Sequence, residues 1–160
     1  MRLMRFGLFI LAAASLAACS DSSGCGPTDP KICSANRAAA TAVAGTWTLA
    51  QVTNGTSVQM HLSAHDTTLS GTGTYSTTGT SAGTVQIRGF VFWRDSFFAP
   101  SGFEVPAAPV VILNFVFDNG KTARFDQATL TGQNTLYGVL TFADDNSTSF
   151  GVSFIRSPTM

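Results

Sequence analysis

Apolar and polar positions alternate with period two over most of the chain from Gly45 onward. Trp47 and Leu49 fall on one face with Gln51, and Thr46, Thr48 and Ala50 fall on the other. Val58, Met60 and Leu62 alternate with Gln59, His61 and Ser63. Leu69, Gly71, Gly73 and Tyr75 alternate with Ser70, Thr72 and Thr74, and Val85 and Ile87 with Gln86 and Arg88. Ala123, Phe125, Leu130, Leu136, Leu140, Phe142, Phe150, Val152 and Phe154 continue the theme. Successive side chains of a strand point to opposite faces, so this alternation predicts half-buried antiparallel strands.

The interruptions carry turn chemistry. Asn54-Gly55 and Asn119-Gly120 are hairpin dipeptides, because Asn and Gly tolerate positive φ. Gln133-Asn134 and Asp144-Asp145-Asn146 read as tight turns, and Thr78–Ala82 as a longer one. Eight strands are expected, near 46–53, 57–64, 67–77, 83–93, 109–117, 121–132, 135–143 and 148–156. Short turns between neighbours make an up-and-down meander. Its two edges would invite aggregation, and closing the first strand onto the last removes both. The expected fold is therefore all-β, an eight-stranded antiparallel up-and-down barrel over 45–160. The competing arrangement is a β-sandwich.

The N-terminal part follows other rules. Arg2 and Arg5 precede an apolar run, Phe6–Ala14, and then Ser15-Leu16-Ala17-Ala18. That is the layout of a secretory signal over 1–18, and the run is short of the ~20 residues of a transmembrane helix. Residues 19–44 read as a tether: Ser20–Gly24, Pro27 and Pro30 suit a flexible spacer, and the alanine-rich 35–44 suits a short helix. Nine basic and nine acidic residues balance, and losing Arg2 and Arg5 with the signal leaves a net charge near −2. Nothing in this charge pattern points to nucleic acid, which asks for a basic stripe.

Leu16-Ala17-Ala18-Cys19 resembles the lipobox of bacterial lipoproteins. The resemblance implies cleavage before Cys19 and lipidation of its thiol by diacylglycerol and fatty acyl chains such as palmitate. It also implies attachment to a membrane of the bacterial cell envelope. Ser20 rather than Asp follows the cysteine, which favours the outer membrane, facing the periplasm. In that oxidising compartment Cys25 and Cys33 are expected to form a disulfide.

A second resemblance lies in Gly45-Thr46-Trp47, which is similar to the Gly-x-Trp opening of lipocalins and related calycin barrels. In that family the Trp packs under a basic side chain near the last strand, which implies a pair between Trp47 and Arg156. The lipocalin Thr-Asp-Tyr motif is absent from this chain.

Catalytic motifs are missing: there is no serine elbow, phosphate loop or Cys-x-x-Cys pair. No enzyme activity, cofactor or metal is expected. His61 and His65 would share a strand face about 13 Å apart, too far for one ion. Asp118, Asp144 and Asp145 are expected to serve turns, and Asn146-Ser147-Thr148 is not read as a glycosylation site. The segment 94–108 exceeds ordinary hairpin length and holds Phe97, Phe98 and Phe103. It is expected to cap a barrel end, rim a ligand mouth or touch a partner. The strands beside it are apolar on both faces: Phe90 and Phe92 opposite Val91 and Trp93, and Val110, Ile112 and Val116 opposite Val111, Leu113, Phe115 and Phe117.

The functional expectation is a lipid-anchored, non-catalytic envelope protein that binds a small apolar ligand in its barrel. Trp47, Met60, Tyr75, Trp93, Phe115, Phe125 and Phe142 are the candidate lining. The alternative is a structural or interaction lipoprotein with a filled core, in which the 94–108 loop and the outer apolar strip meet an envelope protein partner.

Overall fold

The computed structural model describes residues 29–50, 55–77, 80–143 and 149–157. A helix, α1 (Pro30–Val43), leads into β1 (Gly45–Leu49), β2 (Thr56–His65), β3 (Thr68–Thr77) and β4 (Thr80–Arg94). Two short strands follow, β5 (Phe97–Phe98) and β6 (Glu104–Val105). The chain continues through β7 (Ala108–Phe117), β8 (Thr122–Thr131), β9 (Thr135–Phe142) and β10 (Ser149–Arg156).

The eight long strands close into one antiparallel barrel, in the order β1-β10-β9-β8-β7-β4-β3-β2. Apart from the inserted β5–β6 pair this is the meander expected from the turns. Closure joins β1 to β10, with Trp47 opposite Arg156 and Leu49 opposite Phe154. On its other side Trp47 faces Met60 of β2. First and last strands therefore share one sheet, which rules out the sandwich.

The alternation decides what fills the barrel. Trp47, Leu49, Val58, Met60, Leu62, Leu69, Tyr75, Val85, Ile87, Leu113, Phe115, Phe117, Ala123, Phe125, Leu136, Leu140, Val152 and Phe154 form one buried cluster. Their polar neighbours on β2, β3 and β4 face out. In β8 the phase slips: the pairing with β9 shifts between Asp126 and Thr129, and Gln127 takes φ 50°. This bulge returns Ala128 to the inside after Phe125, with two residues between them instead of one.

Several boundaries differ from expectation. α1 starts at Pro30 rather than 35, so residues 30–34 are helix and not spacer. Asp29 caps it by accepting the Lys31 N–H at 2.8 Å, and Pro30 occupies the first helical position, where its fixed φ suits a start. Asn36, Ala40 and Val43 share its buried face. Ala40 and Val43 belong to the barrel core, so this part of the expected tether is a plug rather than a linker. β1 ends at Leu49 rather than 53, while 51–54 lie outside the described residues. β4 begins at Thr80, which takes most of the expected 78–82 turn into the strand.

α1 packs against β2, β4 and β7 at one end of the barrel. The β2–β3 turn lies at this helix end, and its Asp66 pairs with Arg37 of α1. The ends of β1, β3, β7 and β9, and the β7–β8 turn, lie at the opposite, far end.

Candidate functional site

The seven expected lining residues do not all meet. Trp47, Met60, Tyr75, Phe115 and Phe125 are buried in the interior, and Phe142 packs half-buried against them. Trp93 stands apart. β3 starts at Thr68 opposite Phe90, so residues beyond Val91 have no β3 neighbour and pair with β7 alone. Trp93 shares the inward phase of β4 but lies past the last β3 pairing and is half-buried.

The interior is occupied by rings that meet across the barrel. Phe115 of β7 stacks on Phe154 of β10, centroids 6.3 Å apart, although two strands separate them around the wall. Phe125 meets Phe154 edge-on at 5.2 Å, and Phe117 connects Phe115, Tyr75 and Phe142. At these rings the opposed walls meet side chain to side chain.

At the helix end one guanidinium holds four parts of the chain. Arg156 lies over the Trp47 ring, 4.4 Å from its centroid. Its Nη1 donates to the Ala44 carbonyl at 2.8 Å, Nη2 to the Ala42 carbonyl, and Nε to the Gln133 carbonyl at 2.9 Å. Helix C-termini leave carbonyls unpaired and carry partial negative charge, so a cation suits this place. The Trp47 indole N–H donates to Val43 O at 2.8 Å and closes the set. Gly45 admits the guanidinium: a Cβ there would lie 2.6 Å from Nη1, and its φ of 131° excludes most other residues.

The far end has a smaller latch. The Asp118 carboxylate accepts from the Thr84 backbone N–H at 2.6 Å and from the Tyr75 hydroxyl at 2.9 Å. Gly83 makes room, since a Cβ there would meet both carboxylate oxygens at 2.6 Å. The Thr84 N–H, then the Tyr75 hydroxyl, hold the Asp118 carboxyl below its ordinary pKa. Burial, then the hydrogen bond to Asp118 and its negative charge, push the Tyr75 hydroxyl up. Sequence reasoning gave Asp118 only turn duty. The residues it joins lie over 30 positions away, and no local pattern connects them.

The 94–108 excursion is a hairpin. Phe97 pairs with Val105 and Phe98 with Glu104. The Ala99 N–H donates to Phe103 O and the Gly102 N–H to Ala99 O, both at 2.8 Å, which makes the turn tight. Arg94 stacks over the Phe97 ring at 5.4 Å. Of the three expected roles a plain cap fits least, because Phe97, Phe98 and Phe103 are 42%, 73% and 68% exposed. Strand pairing orders the backbone and leaves these rings outside. The outer apolar strip is partly covered: Val110 and Ile112 are buried, and Phe90 stays exposed.

His61 and His65 are both exposed, and His61 Nδ1 lies 3.1 Å from the Thr46 hydroxyl. Among the described residues no group of three His, Cys, Asp or Glu gathers as a metal site. Cys33 sits in the first turns of α1 and is not free. Cys19, Cys25, Asp144, Asp145 and Asn146 lie outside the described residues. No helix among the described residues is long and apolar enough to cross a membrane. No protein-family model matches the chain, and no curated protein matches it. What the structure establishes is the architecture: a closed, eight-stranded antiparallel β-barrel with a helix across one end.

Proposed function

We propose that this chain is a lipid-anchored, non-catalytic protein of the bacterial cell envelope whose barrel is a filled scaffold for an exposed interaction hairpin. The observation that supports a scaffold over a carrier is the Phe115–Phe154 stack, which spans the space a ligand would need. The apolar surface is instead displayed outside, on Phe97, Phe98 and Phe103. The lipobox-like Leu16-Ala17-Ala18-Cys19 supports the anchor, Ser20 after the cysteine supports the outer membrane facing the periplasm as its place, and the Trp47–Arg156 pair supports a calycin-like relationship. The expected Cys25–Cys33 bridge belongs to the same reading and would shorten the tether.

Intact-mass measurement on the membrane-purified protein tests the anchor. A chain starting at Cys19 and carrying diacylglycerol and acyl mass is expected, and Cys19→Ser should abolish that mass. An unmodified chain still beginning at Met1 would refute it. A second reading, a small apolar ligand at the far end, draws on the half-buried Phe142 and Phe150 there. Titration with an apolar fluorescent dye separates the two. Saturable uptake lost in Phe142→Ser would favour the carrier, and no uptake would favour the scaffold.

A further inference from the structure

We infer that the 97–105 hairpin dips its aromatic tip into the same lipid bilayer that holds the anchor. The inference rests on the lipid-anchor reading and adds the occupant of the exposed rings. Three observations converge on a bilayer rather than a protein partner. The first is where the chain enters. Val43 and Ala44, at the end of α1, are tied to Trp47 and Arg156 beside β1. α1 also reaches β7, which stands opposite β1 around the barrel. The helix therefore crosses the barrel end with its start toward the β4–β7 side, and the hairpin is carried on those two strands.

The second is reach. Ten residues, 20–29, separate Cys19 from α1. Fully extended they span at most about 36 Å. An anchor on Cys19 thus keeps the helix end, and the hairpin with it, close to the membrane surface at high effective concentration. The third is the tip's chemistry. From Ser96 to Phe103 no side chain is charged, and the run holds three phenylalanines with Ala99 and Pro100. Asp95 and Glu104 flank it, and Arg94 stacks on Phe97 at the base. Aromatic rings ahead of a charged collar match the passage from acyl region to headgroups. Of the other exposed large apolar side chains among the described residues, Val116, Tyr137, Val139 and Ile155 stand on the barrel wall beside polar residues, which is ordinary for a soluble surface, and Phe90 lies on β4, one of the two strands that carry the hairpin.

The test uses the full-length lipidated protein reconstituted into phosphatidylethanolamine–phosphatidylglycerol vesicles. An environment-sensitive dye is placed on Ser101→Cys at the tip, or on Asn119→Cys at the far end, with the parent chain as background. The 101 label should shift to the blue and be quenched by brominated acyl chains, while the 119 label should do neither. Phe97→Ser/Phe98→Ser/Phe103→Ser should cut the quenching at least about tenfold, and Ile155→Ser should leave it unchanged. A 101 label that stays water-like on vesicles would overturn the inference and point to a protein partner. The intact mass of the same sample reports lipidation separately. An unlipidated chain whose 101 label still moves on vesicles would refute the anchor while upholding the hairpin's affinity for lipid.

Discussion

The two ends of this barrel are closed by different means. At the helix end a buried indole, a guanidinium and the C-terminus of α1 lock together strand 1, strand 10, the β8–β9 turn and the chain's entry. At the far end, among the described residues, the Asp118 carboxylate joins β3 and β4 to the β7–β8 turn. The first latch is a guanidinium stacked on a buried indole, the second a carboxylate whose pKa folding lowers. The comparison teaches that the firm end is also the end that presents the hairpin. A tip that must hold three rings in an unfavourable solvent needs a base that does not yield.

The largest effect expected from breaking the firm end is Trp47→Ala. It should cost about 3–5 kcal/mol by removing a buried aromatic and opening a cavity against Val43 and Met60, read as a lower midpoint in urea. Arg156→Met keeps much of the stem packing and removes the charge. A loss of about 2–3 kcal/mol is expected, since the ring contact and the hydrogen bonds to Ala42, Ala44 and Gln133 go together. If this variant melts like the parent, the contrast between the ends is wrong.

Asp118→Asn addresses the far end and should do less than Arg156→Met at neutral pH. Its signature is pH. The folded state lowers the Asp118 pKa, so that group's stabilisation is full above the ordinary carboxylate range. It is lost as pH falls through the lowered folded value. Tyr75 is raised from its ordinary 10.0, so its share is full below that value and is lost as pH climbs through the folded one. Thermal melts across pH should show both losses in the parent, and Asp118→Asn should flatten the acid one. The smallest effect is Asp29→Ala, about 1 kcal/mol from loss of the α1 cap. Amide exchange should place it in the first turn of α1 and leave the far end untouched.

Much of this was legible in advance, for a reason that particular residues show. Val58, Met60 and Leu62, or Leu69 and Tyr75, face inward because a strand's period is two, and that period is written residue by residue. Asn119-Gly120 marks its turn because its backbone requirement is local. Asp29-Pro30 was a helix start of the same local kind, passed over amid Ser, Gly and Pro. The Gln127 bulge left no comparable mark, because the residue there is not one that positive φ favours.

Sequence by itself determined the alternating strands, the turns between them and the side chains available to fill an interior. The resemblance of Gly45-Thr46-Trp47 to a calycin opening already implied the pair with Arg156, over a hundred positions away, and tertiary structure set the two opposite one another across the closing strands and added the carbonyls of Ala42, Ala44 and Gln133. Tertiary structure also decided that Phe115 and Phe154 stack across the interior, and that Phe97, Phe98 and Phe103 stay outside. Facing and turning follow from neighbours along the chain, whereas which rings touch and which stay exposed depends on distances between segments that no local pattern encodes.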